Sequence, residues 1–291
     1  MKASTQVVYV TGAARGIGLA IASYLAEVGY RVYAMVRSSS NTEELDKAIE
    51  KFSPRLSKLI GDVTKTSSIE ENIQTILSES GRLDVVVNNA LHIVVGTCET
   101  CTIEEQKQSM DVNYFGTVRV LQSALPIMRK QRSGHIINIS SVAGYEPFPH
   151  LESYVASKFA LEGLTESLAS HLGPWNIRVS LIEPGGVKTE GPRGSSLGTR
   201  TLKDTDAYKN YCAHAKQNMA AGYEASLEPE VIAHLTRKII ESKHPHLRYP
   251  VGDFAVTRAK ERFLDPTGDS YVRYKNELLK EASLFGYLGN D

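Results

Sequence analysis

Eight residues near the start of the chain restrict its fold more than any others: Thr11-Gly12-Ala13-Ala14-Arg15-Gly16-Ile17-Gly18. They follow the apolar run Val7-Val8-Tyr9-Val10 and precede Leu19-Ala20-Ile21-Ala22-Ser23-Tyr24-Leu25-Ala26. The glycines therefore sit where a buried strand turns into a helix. Gly12 suits a tight turn, Gly16 lets the backbone approach a pyrophosphate, and Gly18 lets the helix pack close on the strand. The helix N-terminus then offers its free N–H groups to the phosphates. The spacing is G-x-x-x-G-x-G, a variant of the generic G-x-G-x-x-G loop. A dinucleotide site on an α/β sheet is the reading.

The rest of the chain alternates short apolar runs with helical periods. Strands are expected over 6–11, 31–36, 56–60, 83–88, 134–140, 177–182 and 247–251. Helices are expected over 17–28, 41–52, 66–79, 102–130, 152–172, 205–221 and 228–242. Right-handed crossovers give an α/β, doubly wound (Rossmann-type) seven-stranded parallel sheet with helices on both faces. No Pro/Gly/Ser tract or internal repeat separates two cores, so all 291 residues read as one domain. Within it, 1–189 form the cofactor and catalytic core, 190–204 a lid loop, and 205–291 cleft helices with a C-terminal extension. The lid reading rests on composition: Glu190 to Asp204 is polar, Gly-rich and without apolar period. In the tail, Phe254, Phe263, Tyr271, Tyr274, Leu278, Leu279, Leu284 and Phe285 either pack on the sheet edge or wall a substrate cleft.

Charge balances at 33 basic against 33 acidic residues, which points away from nucleic acid and anionic membranes. No apolar run reaches 18 residues and the first strand begins almost at Met1, so a cytoplasmic protein without a signal peptide is expected. Three cysteines make no disulfide framework, and Cys98-Glu-Thr-Cys101 has no second ligand pair to complete a metal site.

Tyr154-Val-Ala-Ser-Lys158 places a phenol and an ammonium on one helix face. Alone this is an ordinary helix start; beside a dinucleotide site it is an acid/base pair, the cation lowering the phenol's pKa. At the end of the second strand, where a ribose-binding acid is expected, stand Arg37 and Ser38, and no acid appears until Glu43. With Arg15 in the glycine loop, Arg37 points to a 2′-phosphate and hence to NADP(H).

The order TGxxxGIG, Asn88-Asn89-Ala90, Asn113, Ser141, YxxxK resembles the short-chain dehydrogenase/reductase superfamily from Val7 to at least Thr189. Tyr154 to Ala169, Asp111 to Arg119 and Tyr211 to Gln217 are similar to the subfamily of estrogenic 17β-hydroxysteroid dehydrogenase and photoreceptor retinol dehydrogenase. The resemblance implies a strand order of 3-2-1-4-5-6-7. It implies Tyr154 as proton donor, Lys158 as its cation and ribose ligand, Ser141 as donor to the carbonyl oxygen, and Asn113 as anchor of a water on the proton path. Ser140, next to Ser141, should point to the opposite face. Beyond the glycine loop with Ile17, the implied cofactor contacts are Asp62, Val63, Asn89, Ala90, and Pro184, Gly185, Val187 and Thr189 of a PGxVxT-like segment. His214 is implied at the far end of the substrate site. The helices at 102–130 and 152–172, with Leu161, Leu164, Leu168 and Leu172 at helical intervals, are implied to pair in a homodimer or homotetramer. One position departs: Leu91 stands where the family usually has Gly.

The reaction expected is NADP(H)-dependent interconversion of a carbonyl and an alcohol on a bulky apolar substrate, steroid- or retinoid-like. A smaller secondary-metabolite carbonyl is the alternative. A catalytically silent NADP-binding regulator fits less well, because it needs no Asn113–Ser141–Tyr154–Lys158 set.

Overall fold

The computed structural model of the chain describes residues 5–148, 150–189, 196–199, 226–263, 265–270, 273 and 277. Its strands are β1 (Val7–Thr11), β2 (Arg31–Val36), β3 (Leu56–Ile60), β4 (Val85–Asn88), β5 (Val94–Val95), β6 (Gly134–Ile139), β7 (Ile177–Pro184), β8 (Ser196–Leu197) and β9 (Arg248–Val251). Seven of them form one sheet in the order β3-β2-β1-β4-β6-β7-β9, every pairing parallel. This is the expected doubly wound order. The chain runs outward from β1 to β3, then returns to β4 on the other side of β1. That reversal opens a crevice beyond the carboxyl ends of β1 and β4.

The helices are α1 (Gly16–Glu27), α2 (Glu43–Phe52), α3 (Thr66–Ser80), α4 (Ile103–Met110), α5 (Gly116–Gln131), α6 (Glu152–His171), α7 (Pro229–Glu241) and α8 (Asp253–Arg262). Alternation along the strands feeds two cores. Val8, Val10, Val32, Ala34 and Val87 pack with Ile21, Leu25 and Ile232 on one face. Val7, Tyr9, Tyr33, Met35 and Val86 pack with Ile73, Leu121 and Leu168 on the other. With both faces covered, the strands read as continuous apolar runs rather than alternating ones.

Four features differ from the sequence reading. The single helix expected over 102–130 is α4 and α5 joined by a π-helical turn over Asp111–Phe115. A single π turn inside a helix has no residue signature of its own, which hides it from pattern reading. Helix α8 was not expected; its residues are strongly polar and bury little beyond Ala255 and Ala259. Within the segment read as an aperiodic loop, β8 pairs in parallel with β5. Leu161, Leu168 and Leu172 are buried in the molecule's own interior, so their spacing serves the sheet and not a second copy. The helix expected over 205–221 lies outside the described residues.

Gly18 sets how closely α1 approaches the sheet. A Cβ there would sit 2.5 Å from both Asn89 Nδ2 and Gly12 O. Gly18→Ala is therefore expected to cost roughly 1–3 kcal/mol through overpacking. Urea unfolding should show a lower midpoint at an unchanged m-value.

Candidate active site

The cleft is built from two loops locked together. Thr11 Oγ1 accepts the N–H groups of Asn89 and Ala90 at 3.0 and 3.1 Å. In return Asn89 Nδ2 donates to the carbonyls of Thr11 and Gly12 at 3.1 and 3.0 Å. Gly12 and Gly16 hold φ values of +67° and +57°, left-handed conformations that favour glycine. A Cβ on Gly12 would lie 2.8 Å from Ala90 Cα, and one on Gly16 3.0 Å from Thr189 Cγ2. The α1 N-terminus has no acidic residue in its first turn and no side-chain cap. Its dipole and N–H groups therefore face the cleft.

The cleft encloses about 330 Å³ and is lined by Gly12, Arg15, Gly16 and Ile17 from the glycine loop, and by Asn89, Ala90 and Thr189 opposite. Arg37, Asp62 and Val63 line its outer end. Burial pushes the Asp62 carboxyl up, but the N–H and hydroxyl of Thr64 at 2.9 and 2.8 Å, with the charges of Arg37 and Lys65, outweigh it and hold the group below the usual range. This backbone cradle at a helix N-terminus fits a dinucleotide pyrophosphate.

Several expected contacts are not among the residues lining this cleft, Ser141, Tyr154 and Lys158 included. Ser38 is exposed on the turn after β2, and Ser40 lines the cleft instead. Thr11 and Gly18 lie beneath the cleft and shape it from below. Pro184, Gly185 and Val187 do not line it; Gly185 N donates to Val251 O at 3.0 Å and Val187 bridges to Leu227. His214 lies outside the described residues. Sequence reading missed Thr64 and His92, which also line the cleft. The Asp-x-Thr turn was a signal for Thr64; nothing local marked His92.

The four expected catalytic residues come from three elements. Asn88 Nδ2 donates to Asn138 Oδ1 at 2.8 Å and Asn138 Nδ2 to Thr165 Oγ1 at 2.8 Å, a buried ladder that fixes α6 against β4 and β6. Tyr154 and Lys158 lie on that helix. Lys158 Nζ donates to Ile139 O at 2.8 Å and stands 5.8 Å from the centre of the Tyr154 ring. Ser141, after β6, accepts from Ala143 N at 3.1 Å and lies near enough to the Tyr154 phenol to lower its pKa. Ser140 turns to the opposite side, towards Glu162.

Asn113 occupies the middle of the π turn. Its Oδ1 accepts from His92 N at 2.8 Å, while Nδ2 donates to His92 O and Ser157 Oγ, both at 2.9 Å. Ser157 Oγ donates onward to Tyr154 O at 2.7 Å. Asn113 thus braces the loop after Ala90 against the helix that carries the phenol. Leu91 needs no left-handed conformation and is exposed at the mouth of the cleft. Its neighbour His92, clamped by Asn113, carries the constraint.

Burial reverses one expectation. It pushes the Tyr154 phenol up to about 12, against the lowering influence of Ser141. It also pulls the Lys158 ammonium down to about 8, partly offset by the charge of Glu162. An ammonium that titrates so near neutrality gives the phenolate less charge to lean on.

Residues 6–196 match the family described as short chain dehydrogenase. The chain belongs to that family. It is 34% identical over 247 residues to 3-ketodihydrosphingosine reductase of Bacteroides thetaiotaomicron, covering 85% of this chain and 88% of that protein. It is 32% identical over 290 residues to retinol dehydrogenase 8 of Bos taurus, covering 96% and 92%. A solved metagenomic short-chain oxidoreductase in complex with NADP superposes with a TM-score of 0.67 at 28% identity, covering 86% of this chain and 98% of that one. As a short-chain dehydrogenase the chain is an oxidoreductase that uses a nicotinamide cofactor. No helix among the described residues is long and apolar enough to cross a membrane.

Lys158 lies below its ordinary value of 10.5 when folded, so its burial destabilises the fold at neutral pH. That cost is fully present below about pH 8 and fades as pH rises towards 10.5. The shift corresponds to roughly 3 kcal/mol, and the lost bond to Ile139 O returns about 1. Lys158→Met is therefore expected to be more stable than the parent at pH 7 by about 2 kcal/mol. Denaturant titrations at pH 7 and pH 10 should show that gain shrinking at the higher pH.

Proposed function

We propose that the protein is an NADP(H)-dependent reductase or dehydrogenase that interconverts a carbonyl and an alcohol on a bulky apolar substrate. The observation that carries this reading is the Ser141–Tyr154–Lys158 cluster beside a cleft whose outer end holds Arg37. The nicotinamide supplies or accepts the hydride when bound. Ser141 Oγ donates a hydrogen bond to the substrate oxygen, a preorganised donor placed where negative charge develops. Tyr154 passes its phenolic proton to that oxygen in reduction and takes it back in oxidation. Lys158, held through Ile139 O, stabilises the phenolate left behind.

Arg37 supports a 2′-phosphate, and the solved relative with NADP bound is consistent with it. The surroundings of Tyr154 support an apolar substrate. Ile93, Val95 and Ala143 pack with it, joined by Phe148, Leu151 and Val155, and Phe254 faces Phe148 at 6.2 Å between ring centres. The two relatives are named for a sphingoid ketone and for retinol, both long apolar molecules. The segment 190–204 serves as a lid, of which 196–199 are described: Ser196–Leu197 pairs with Val94–Val95, and Thr199 N donates to Glu105 Oε1 at 3.1 Å. Exposed Phe115 and Phe159, near the start of α5 and on α6, support self-association in a homodimer or homotetramer.

Incubation with NADPH and a panel of 3-ketodihydrosphingosine, a steroid ketone, a retinoid aldehyde and a small ketone, followed at the nicotinamide absorbance, tests the reading. Turnover of the small ketone alone would replace the apolar substrate class, and no turnover of any would favour a silent binder. On the best substrate, Tyr154→Phe is expected to lose at least about a hundredfold in kcat with cofactor affinity nearly unchanged. Arg37→Asp is expected to move the kcat/KM ratio of NADP(H) over NAD(H) towards NAD(H) by roughly tenfold or more; an unmoved ratio would mean that Arg37 only faces solvent.

A further inference from the structure

Behind the catalytic helix lies a charge cluster that the reaction as described does not use. Arg248, at the start of β9 and 3% exposed, donates through Nη1 to Glu162 Oε2 and Glu183 Oε1, and through Nη2 to Glu166 Oε1. Glu162 and Glu166 lie on α6, one and two turns beyond Lys158. Glu183 is the penultimate residue of β7 and fully buried. The guanidinium also stacks 4.5 Å over the Phe263 ring. One arginine thus ties the catalytic helix to the end of β7 and to the packed cluster where Phe263 meets Tyr145.

The charges do not balance as drawn. Two buried carboxylates share one guanidinium nitrogen, while Glu166 is partly exposed. The second oxygens, Glu162 Oε1 and Glu183 Oε2, are buried with no donor. Both side chains meet the same Nη1, which holds the two carboxyl groups side by side. Two ionised oxygens so placed would repel in a low-dielectric site, and an unsatisfied buried carboxylate oxygen is costly. One proton between them satisfies both. The other groups facing the pair are Lys158 and Ser140, with Tyr145, whose hydroxyl is committed to Ala255 O at 2.9 Å. Ser140 Oγ, itself without a partner, can offer Glu162 a hydrogen bond but neither hydroxyl can supply the missing charge.

We propose that Glu162 and Glu183 hold one proton between them, carried by Glu183 and donated to Glu162, and that the carboxylate left on Glu162 is a positioning residue that keeps Lys158 charged one helical turn away. Burial and the neighbouring Glu162 charge push the Glu183 carboxyl well above the usual range, in keeping with this. Glu162 in turn opposes the fall of Lys158 that burial causes. The effect on turnover rests on the role given above to Lys158; the shared proton does not.

Two measurements need no substrate. Infrared spectroscopy of the parent protein at pH 7 should show the carbonyl stretch of a buried carboxylic acid, absent in Glu183→Gln. Its absence in the folded parent would overturn the shared proton, whether or not any variant folds. The nitrogen shift of Lys158, followed by NMR against pH, should titrate about one pH unit lower in Glu162→Gln and far less displaced in Glu183→Gln, whose amide can donate to Glu162 in place of the acid. Equal midpoints in the parent and Glu162→Gln, or equal displacement in both variants, would overturn the positioning role. With an active substrate, the alkaline limb of kcat for carbonyl reduction should move down with the Lys158 midpoint. A purely structural role would lower kcat at every pH and leave the limb in place.

Discussion

The contact between the glycine loop and the loop after β4 is the constraint on which the site depends. Thr11 and Gly12 on one side and Asn89 and Ala90 on the other share four hydrogen bonds across it, and Gly12 and Gly18 admit the close approach. That contact aims the α1 N-terminus into the crevice where the strand order reverses. It also carries the chain through Leu91 to His92, whose backbone Asn113 then grips on both sides. From there Ser157 passes the register on to Tyr154. Cofactor cradle and acid/base pair are thereby parts of one hydrogen-bonded frame.

The second theme is charge held against its solvation preference. Lys158, Glu162, Glu183 and Arg248 are all at least nine-tenths buried. Such groups are weak contributors to stability, because desolvation offsets most of the attraction between them. Their location explains their retention. Each lies within a turn or two of Tyr154 along α6, or at the sheet ends that α6 packs against. The interior that stabilises most of this fold through aliphatic contacts gives up some of that stability beside the catalytic helix.

Much of the architecture was legible because strand and helix periods differ and both sheet faces are covered. All seven strands of the main sheet and the placement of Tyr154 and Lys158 on one helix face follow from local pattern, whereas the order of the sheet came from the family resemblance. The π turn at Asn113 was not legible, since π turns are rare and no residue type marks them. Ser38 was read as a cofactor contact, and Ser40, which donates to Arg37 O in the same turn, is the serine that lines the cleft. The Leu161–Leu172 stripe was assigned outward although it faces the sheet; spacing alone gives a face but not its partner.

What the sequence by itself determined is the chemistry available: a glycine cradle at a strand–helix junction, an arginine where an acid would select NAD, and a phenol with a cation one turn away. These follow from covalent geometry and residue type, which are local. Only the tertiary structure decided how those groups are tuned. The phenol and the ammonium are drawn towards their neutral forms because they are buried, and burial belongs to the whole packed molecule. The partners of that ammonium come from β6 and from a carboxylate whose own state is set by β7 and β9, as far as 90 residues along the chain (248 against 158). No window of sequence contains that sum, because electrostatic energy in a low-dielectric interior depends on which distant segments meet.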